Sequence, residues 1–499
     1  MSYKVDLSHI DRGQARSLTD QIADAFVSAI ESGRLAPGDK LPTTRALAEQ
    51  ASVNHLTAAR VYKRLGEQGY VTAQVGRGTF VRASAVAAME GADEDWQSYV
   101  LPEHTPSYTL QVHQEAFHRP LSPDTLSMAV GWPSPELFPV DELAALTAEV
   151  FADEGGEALT YLPAEGLPAL REEIAARGRL SGFATSPEEI IVTTGARQGL
   201  DLAARALLRP GDVAVIESPS FTGSIISLEE SGARVIGVPL DDDGFDVDAL
   251  EQILARHEVK LVALQAACQN PTGRDLSPER RERLVALARE RSFFIVEDGV
   301  YATMRFEGEP FPRLRAAAPG HVVYVDSLSK SVGGGLRLGW IAASGPVLDR
   351  LAELKMNTDV HTTALSQHLA SRYLRSGAHE EQMRRGLPFY RERRDALLAA
   401  LDRHLPGEHV RPHPLGGHHA WVTLTRRVDE RLLHAEALRQ GVTFVPGAAA
   451  TVMPSARASM RLSFPLLAPD ELDEAVRRLA RAVRAVSRGR ARTATVAPT

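Results

Sequence analysis

From residue 83 to residue 124 the chain loses all periodicity. Ala, Ser, Asp, Glu and His follow one another without an apolar face, and prolines stand at 102, 106, 120 and 123. A structureless stretch of about 40 residues is too long for a connection inside one compact domain, so it reads as a flexible linker between two bodies. The 499 residues leave room for a small module ahead of it and one large domain behind it. Charge divides along the same line. Residues 1–82 carry eleven Lys/Arg against eight Asp/Glu, a local +3 within a net −8, which leaves −11 for the rest (−8 − 3 = −11). A polyanionic partner is therefore expected to meet the front. No apolar run reaches the roughly 18 residues of a membrane helix, and the first residues lack a secretory pattern. The single cysteine, Cys268, can form no intramolecular disulfide and reads as a small buried hydrophobe. A cytoplasmic protein without membrane contact is expected.

Residues 13–82 read as three helices and a hairpin. Ile22, Phe26, Ala29 and Ile30 recur at helical spacing and the pattern stops at Gly33. Residues 44–51 form a short second helix. Asn54 suits the N-cap of a third, in which Ala58, Val61, Tyr62 and Leu65 make the buried stripe while Thr57, Arg60, Lys63 and Arg64 lie largely outside it. Tyr70–Thr72 and Thr79–Val81 flank Gly76-Arg77-Gly78 as a tight hairpin. The run Gly33–Arg45, then Leu47-Ala48, Thr57, Val61-Tyr62, Leu65, Gly69-Tyr70 and Gly76–Val81, resembles the GntR family of winged helix-turn-helix regulators. The resemblance implies that the third helix enters the major groove of double-stranded DNA while the hairpin reaches the neighbouring backbone. Arg45, Thr57, Arg60, Lys63 and Arg77 are the candidate contacts; a solvated surface charge is the plainer reading of each arginine alone.

Residues 125–486 alternate helical segments with short apolar runs, among them Ile190–Thr193, Val213–Ile216, Leu261–Leu264, Phe293–Val296 and Val322–Val325. Such alternation predicts an α/β body with a mainly parallel sheet covered by helices on both faces, plus a small C-terminal α/β subdomain. Residues 487–499, with Arg488, Arg490 and Arg492, read as a basic disordered tail.

Asp326-Ser327-Leu328-Ser329-Lys330 follows an apolar strand and precedes Arg337 by seven residues. This resembles the lysine motif of fold-type I enzymes that use pyridoxal 5'-phosphate (PLP). The resemblance implies that Lys330 forms the Schiff base with the cofactor aldehyde, while Ser327, Ser329 and Arg337 hold its phosphate. Asp298 ends another strand and by resemblance keeps the pyridine nitrogen protonated; Tyr301 and Asn270 bond the ring hydroxyl. Gly195, Ala196 and Arg197 stand where a strand turns into a helix, whose free N–H groups suit a phosphate. Phe221 resembles the aromatic stacked on the pyridine face, although alone it reads as a core residue. Arg461 resembles the arginine that grips the substrate carboxylate. Tyr161 resembles the tyrosine that reaches the phosphate of the partner subunit, which implies a homodimer. Gly131-Trp132-Pro133 occupies the segment that lies by the substrate carboxylate, or is a simple turn. Arg197 departs from the small or amide residue of many relatives. No metal is called for.

A GntR-type head before an aminotransferase-like body is the arrangement of MocR/GabR-type regulators. It implies a head-to-tail, domain-swapped dimer. In it PLP, or the external aldimine formed when an amino acid or amine displaces Lys330, controls DNA binding. Two alternatives stay open: a working aminotransferase that carries a DNA-binding head, and a body that only dimerises the head.

Overall fold

The structure, a computed structural model, describes residues 5, 7, 10, 16–31, 34–35, 38–74, 78–81, 106–118, 121–180, 182, 185–310, 312–453 and 455–494. It divides into two compact units, residues 1–105 and 106–499.

In the first unit, helices Leu18–Glu31, Thr44–Gln50 and His55–Glu67 precede strands β1 (Val71–Gln74) and β2 (Gly78–Val81), which pair antiparallel from Val71 opposite Val81 to Gln74 opposite Gly78. The apolar spacing of the sequence dictates this packing: Ile22, Phe26, Ala29, Leu47, Ala58, Val61 and Leu65 form one buried cluster. Both later helices start on a side-chain cap. Thr43 Oγ1 accepts the Ala46 N–H at 3.2 Å, and Asn54 Oδ1 accepts the Thr57 N–H at 2.7 Å. Tyr62 sits at the rim and donates its hydroxyl to Pro42 O at 2.7 Å.

The second unit is built on an eight-stranded sheet ordered β4-β11-β10-β9-β8-β5-β6-β7. The strands are β4 (Ile190–Thr193), β5 (Val213–Ser218), β6 (Arg234–Asp241), β7 (Gly244–Phe245), β8 (Val259–Leu264), β9 (Phe294–Asp298), β10 (Val322–Ser327) and β11 (Gly339–Ala342). Only β7 and β11 run against their neighbours. The parallel strands are near-continuous apolar runs because both faces are covered: one cluster contains Leu200, Ala203 and Val325, another Val262, Leu284 and Ile295. Helix Ala196–Leu207 lies close on the sheet at Gly199, where a Cβ would come within 2.7 Å of Val325 Cγ1.

A second, five-stranded sheet is ordered β12-β13-β15-β14-β3, with β3 (Leu126–Met128), β12 (His409–Val410), β13 (His419–Leu424), β14 (Val442–Pro446) and β15 (Ser459–Ser463). The small subdomain is therefore not wholly C-terminal, since β3 pairs parallel with β14 at its edge.

Two sequence expectations change. The linker expected over 83–124 is helical at Tyr108–His118; its remaining residues up to 105, with 119–120, lie outside the described residues. Tyr108 and Val112, one helical turn apart, pack with Ala129, Val445 and Ala449, so two apolar side chains and tertiary contact make a helix that periodicity alone does not announce. The tail expected from residue 487 is helical to Ala494, because helix Pro469–Ala494 is anchored upstream by Leu472, Val476, Leu479 and Val483.

Candidate functional site

Four strands of the large sheet deliver their carboxyl ends to one cavity of about 950 Å3, counted out to its mouth. From β8 come Gln265 and Asn270, from β9 Asp298 and Tyr301, from β10 Ser327, Ser329 and Lys330, and beyond β4 Ala196 and Arg197 at the start of helix Ala196–Leu207. Phe221 and Arg337 join them. The smaller sheet closes the other side with Arg461 on β15, His419 on β13 and Val445 on β14, and helix Tyr108–His118 adds Val112 and His113. Gly131 and Trp132 lie in the wall as well.

Lys330 Nζ donates to Gly131 O at 2.8 Å. Burial, with Arg461 and Arg337 against the opposing Asp298, brings its pKa down to about 8, so a neutral amine is within reach near neutral pH. Asp298 accepts the Gln265 amide at 2.7 Å and the Val300 N–H at 3.1 Å; burial nevertheless pushes its carboxyl up to about 6. Arg461 Nη2 donates to Ala129 O at 2.7 Å, and burial lowers its pKa to about 10. Among the described residues, four cations, Arg197, Lys330, Arg337 and Arg461, thus face the single lining carboxylate Asp298. The cavity favours an anionic ligand.

The phosphate end is shaped by backbone. Gly195 has φ of 93°, and a Cβ there would come within 2.9 Å of Arg337 Nη2. Arg337, itself left-handed with φ of 52°, donates Nη2 to Thr194 O at 2.7 Å. Ser327 Oγ accepts the Ser329 N–H at 3.0 Å and donates to Leu338 O at 2.8 Å, which fixes the loop bearing Lys330. Helix Ala196–Leu207 opens its N-terminus on the cavity, the standard disposition for an anion. Arg197 is half-buried and donates Nη1 to Gly223 O, and burial lowers its pKa. Gly223 admits no side chain, since a Cβ would lie 2.3 Å from Phe221 Cε1.

The residues present fit PLP. A helix N-terminus with two hydroxyls and Arg337 suits a phosphate, Asp298 a pyridinium, and Lys330 an aldehyde. Asn270 Oδ1 and Arg461 Nε are buried without a hydrogen-bond partner, each in the cavity wall.

Tyr161 does not line the cavity. It is 81% exposed, its ring edge-on to His361 at 5.5 Å. Sequence reasoning passed over Gln265, whose amide joins Asp298 to the Asn270 N–H (Oε1 accepting at 2.6 Å), and His419. The signals were present, since Gln265 stands five residues before Asn270 and His419 follows a Gly-Gly-His turn. Cys268 is buried, and burial pushes its thiol up to about 12, which leaves it an inert core side chain.

On the first unit, Leu56, Arg60 and Lys63 share the exposed face of helix His55–Glu67, opposite Ala58, Val61 and Leu65. Leu56 is 69% exposed and was not foreseen. Thr57 is half-buried with its N–H on Asn54, and the Arg45 side chain is 87% exposed, 3.7 Å from Glu49. Arg64 pairs with Asp20 and belongs to the fold rather than to this face. Arg77 lies outside the described residues.

Residues 18–81 match the bacterial regulatory proteins of the gntR family, and residues 124–479 match aminotransferase class I and II. The HTH-type transcriptional regulator TauR of Rhodobacter capsulatus is 30% identical over 97% of this chain and 100% of its own length. The 2-aminoadipate transaminase of Thermus thermophilus is 36% identical over 72% of this chain and 91% of its own. The crystal structure of LysN, an alpha-aminoadipate aminotransferase from Thermus thermophilus complexed with N-(5'-phosphopyridoxyl)-L-leucine, superposes with a TM-score of 0.70 at 33% identity, covering 78% of this chain and 98% of that one. The chain belongs to the PLP-dependent class I and II aminotransferase family, carried behind a gntR-family DNA-binding head as in MocR-type regulators.

Proposed function

We propose that this chain is a dimeric cytoplasmic transcriptional regulator whose hold on double-stranded DNA is set by what occupies the Lys330 cavity. The observation that carries the reading is the coexistence, in one chain, of a DNA-binding head with a cavity that keeps Lys330, Asp298, Asn270, Tyr301, Arg337 and Arg461 together. PLP, when bound, supplies an aldehyde that captures primary amines and a ring that withdraws electrons. Lys330 presents a partly neutral amine to that aldehyde. Asp298 is the counter-charge for a protonated ring nitrogen, and Gln265 aims it. Asn270 and Tyr301 offer donors to the ring hydroxyl, with Ser327, Ser329, Arg337 and the helix N-terminus at Gly195, Ala196 and Arg197 for the phosphate. Phe221 covers the ring face. Arg461 selects an effector with a carboxylate, a bidentate task suited to guanidinium.

A second copy of the chain supports the site. Leu159 and Tyr161 are 70% and 81% exposed, apolar surface on the segment that carries Tyr161 and available to a second copy. Tyr161 then reaches the partner's phosphate, and a head-to-tail arrangement sets each head beside the other body. Arg45, Thr57, Arg60, Lys63 and Arg77 are the DNA contacts of the head. Among the described residues no helix is long and apolar enough to cross a membrane.

The test is the visible spectrum of the purified chain with PLP and then a panel of amino acids and amines, beside Lys330→Ala, with binding to its own upstream DNA followed in the same samples. A band near roughly 420 nm that Lys330→Ala lacks, and a change in DNA affinity with the ligand that moves it, are the expected results. DNA affinity indifferent to every ligand would remove the regulatory coupling. A second reading, a working aminotransferase, is favoured by the complete polar set and by the 36% identity to a transaminase. Release of a 2-oxo acid over many turnovers distinguishes it.

A further inference from the structure

The Tyr301 phenol is tied to a residue the sequence reading passed over. Its hydroxyl oxygen lies 3.1 Å from His419 Nε2, and His419 Nδ1 lies 2.9 Å from Ser463 Oγ. The three residues come from the loop after β9, from β13 and from β15, where His419 and Ser463 face each other directly in the ladder. All three are buried, and the Tyr301 and His419 rings meet edge-on with centroids 5.6 Å apart. Tyr301 and His419 line the cavity; Ser463 is the far end of the chain of bonds.

The groups around His419 keep it neutral. Burial, followed by Arg461, His418 and Lys330, pushes its pKa well below the ordinary range. On the Tyr301 side stand Arg461, Asp298 and Tyr390, and burial raises the phenol far from ionisation. A neutral imidazole has one N–H and one lone pair, so the chain has two arrangements. In the first, Nδ1–H donates to Ser463, Nε2 accepts the Tyr301 proton, and the phenol offers the cavity only lone pairs. In the second, Ser463 O–H donates to Nδ1, Nε2–H donates to the Tyr301 oxygen, and the Tyr301 O–H is turned to the cavity. Protons and charge balance in both; only the tautomer and two hydroxyl directions differ.

We propose that His419 is a positioning residue for the cofactor: held by Ser463 as the Nε2–H tautomer, it fixes Tyr301 as a hydrogen-bond donor to the oxygen of the PLP ring hydroxyl. The inference rests on reading the cavity as a PLP site. A donor to that oxygen favours its anionic form and so lowers the proton affinity of the neighbouring nitrogen contributed by Lys330. Successive hydrogen bonds polarise one another, so the His419 bond strengthens the Tyr301 bond.

The experiment is a pH titration of the visible band in the PLP-loaded full-length chain, for wild type, Tyr301→Phe, His419→Phe and the double variant. Tyr301→Phe raises the midpoint. His419→Phe raises it in the same direction by about half to one pH unit, the size of one hydrogen bond. The double variant titrates with Tyr301→Phe, because His419 acts only through Tyr301. His419→Gln, which keeps an N–H for Tyr301, returns the midpoint toward wild type, a rescue that a merely structural role would not give. Ser463→Ala, which removes a single hydroxyl, shifts the midpoint the same way by less and serves if phenylalanine is not accommodated beside Gly131. Additive shifts in the double variant, a wild-type midpoint in both His419→Phe and Ser463→Ala, or a Tyr301→Phe midpoint unchanged from wild type would overturn the proposal while leaving the PLP reading intact. A wild-type chain without any visible band would overturn both.

Discussion

Asp298→Asn is expected to make the cofactor-free protein more stable at pH 8 and less able to hold PLP. Burial raises the Asp298 pKa from an ordinary 3.8 to about 6. A shift of about two units corresponds to roughly 3 kcal/mol by which the ionised carboxylate is penalised in the folded chain. Asparagine carries no charge, but only one of its two polar atoms can accept. It therefore cannot serve both the Gln265 amide and the Val300 N–H, which costs about 1–2 kcal/mol. The charge term exceeds the hydrogen-bond term, leaving a net gain of about 1–2 kcal/mol at pH 8. The pH dependence fixes the sign. A carboxyl whose folded pKa is raised binds its proton more tightly when folded, so its contribution to stability is fully present below about pH 4 and is lost as pH rises through 6. The advantage of the variant therefore shrinks on acidification and is reversed by pH 4, where the hydrogen-bond cost of about 1 kcal/mol is what is left. Glu217 and Asp326, raised by burial to about 8 and about 7, titrate in both proteins and largely cancel in the difference. Urea unfolding of the PLP-free chain, followed by tryptophan fluorescence at pH 8 and pH 4.5, measures it. Saturating PLP inverts the order, because only the aspartate then gains a cationic partner. A wild type-to-variant difference that is the same at both pH values would refute the reasoning.

Phe26→Ala empties the centre of the head at about 3–5 kcal/mol, near the whole stability of so small a domain. It should abolish the DNA gel shift while the PLP titration stays at its wild-type midpoint. Arg60→Ala should weaken DNA binding about evenly across sequences and reduce the slope of log affinity against log salt by about one, as expected for a lost phosphate contact. Gly199→Val puts a side chain within 2.7 Å of Val325 Cγ1, so helix Ala196–Leu207 must lift from the sheet. PLP dissociation, read from the visible band during dialysis, should then be faster by at least tenfold.

What the sequence discloses and what it hides follow from how far each signal reaches. The stripes Ile22, Phe26, Ala29 and Ala58, Val61, Leu65 are local, and each is buried where its spacing places it. The Asn54 cap is likewise a contact over three residues. Asp298 ends a short apolar strand, Lys330 and Asn270 stand in the loops that follow two others, and Arg461 sits within a fourth, so their motifs could be read singly, and the fold brings them to one cavity. Helix Tyr108–His118 escaped because its buried Val112 and half-buried Tyr108 find partners more than 300 residues away at Val445 and Ala449. β3 escaped for the same reason, since it pairs with β14. His419 was hidden because its meaning lies in Tyr301 and Ser463, neither of them its sequence neighbour.

The position of helix Tyr108–His118 narrows how cavity and DNA could communicate. A signal from the cavity to the head has to act on the ordered segment that opens the second unit. That segment is this helix, and it rests on both halves of the body. His113 Nδ1 lies 3.3 Å from Thr222 Oγ1, beside Phe221 of the large sheet, while Tyr108 packs on Val445 of the small one with the Arg431 guanidinium 5.0 Å over its ring. Val112 and His113 are cavity wall. Arg461 of β15 and the residues at the ends of the large-sheet strands line the same cavity as Val112 and His113 of this helix. Eleven residues, with Thr109 and Val112 buried and Tyr108 half-buried among the described side chains, make a helix that is marginal without its seat, so docking is worth a few kcal/mol at most. That is the size of an ordinary allosteric coupling of 1–3 kcal/mol, so the helix can be biased by a ligand without unfolding the body.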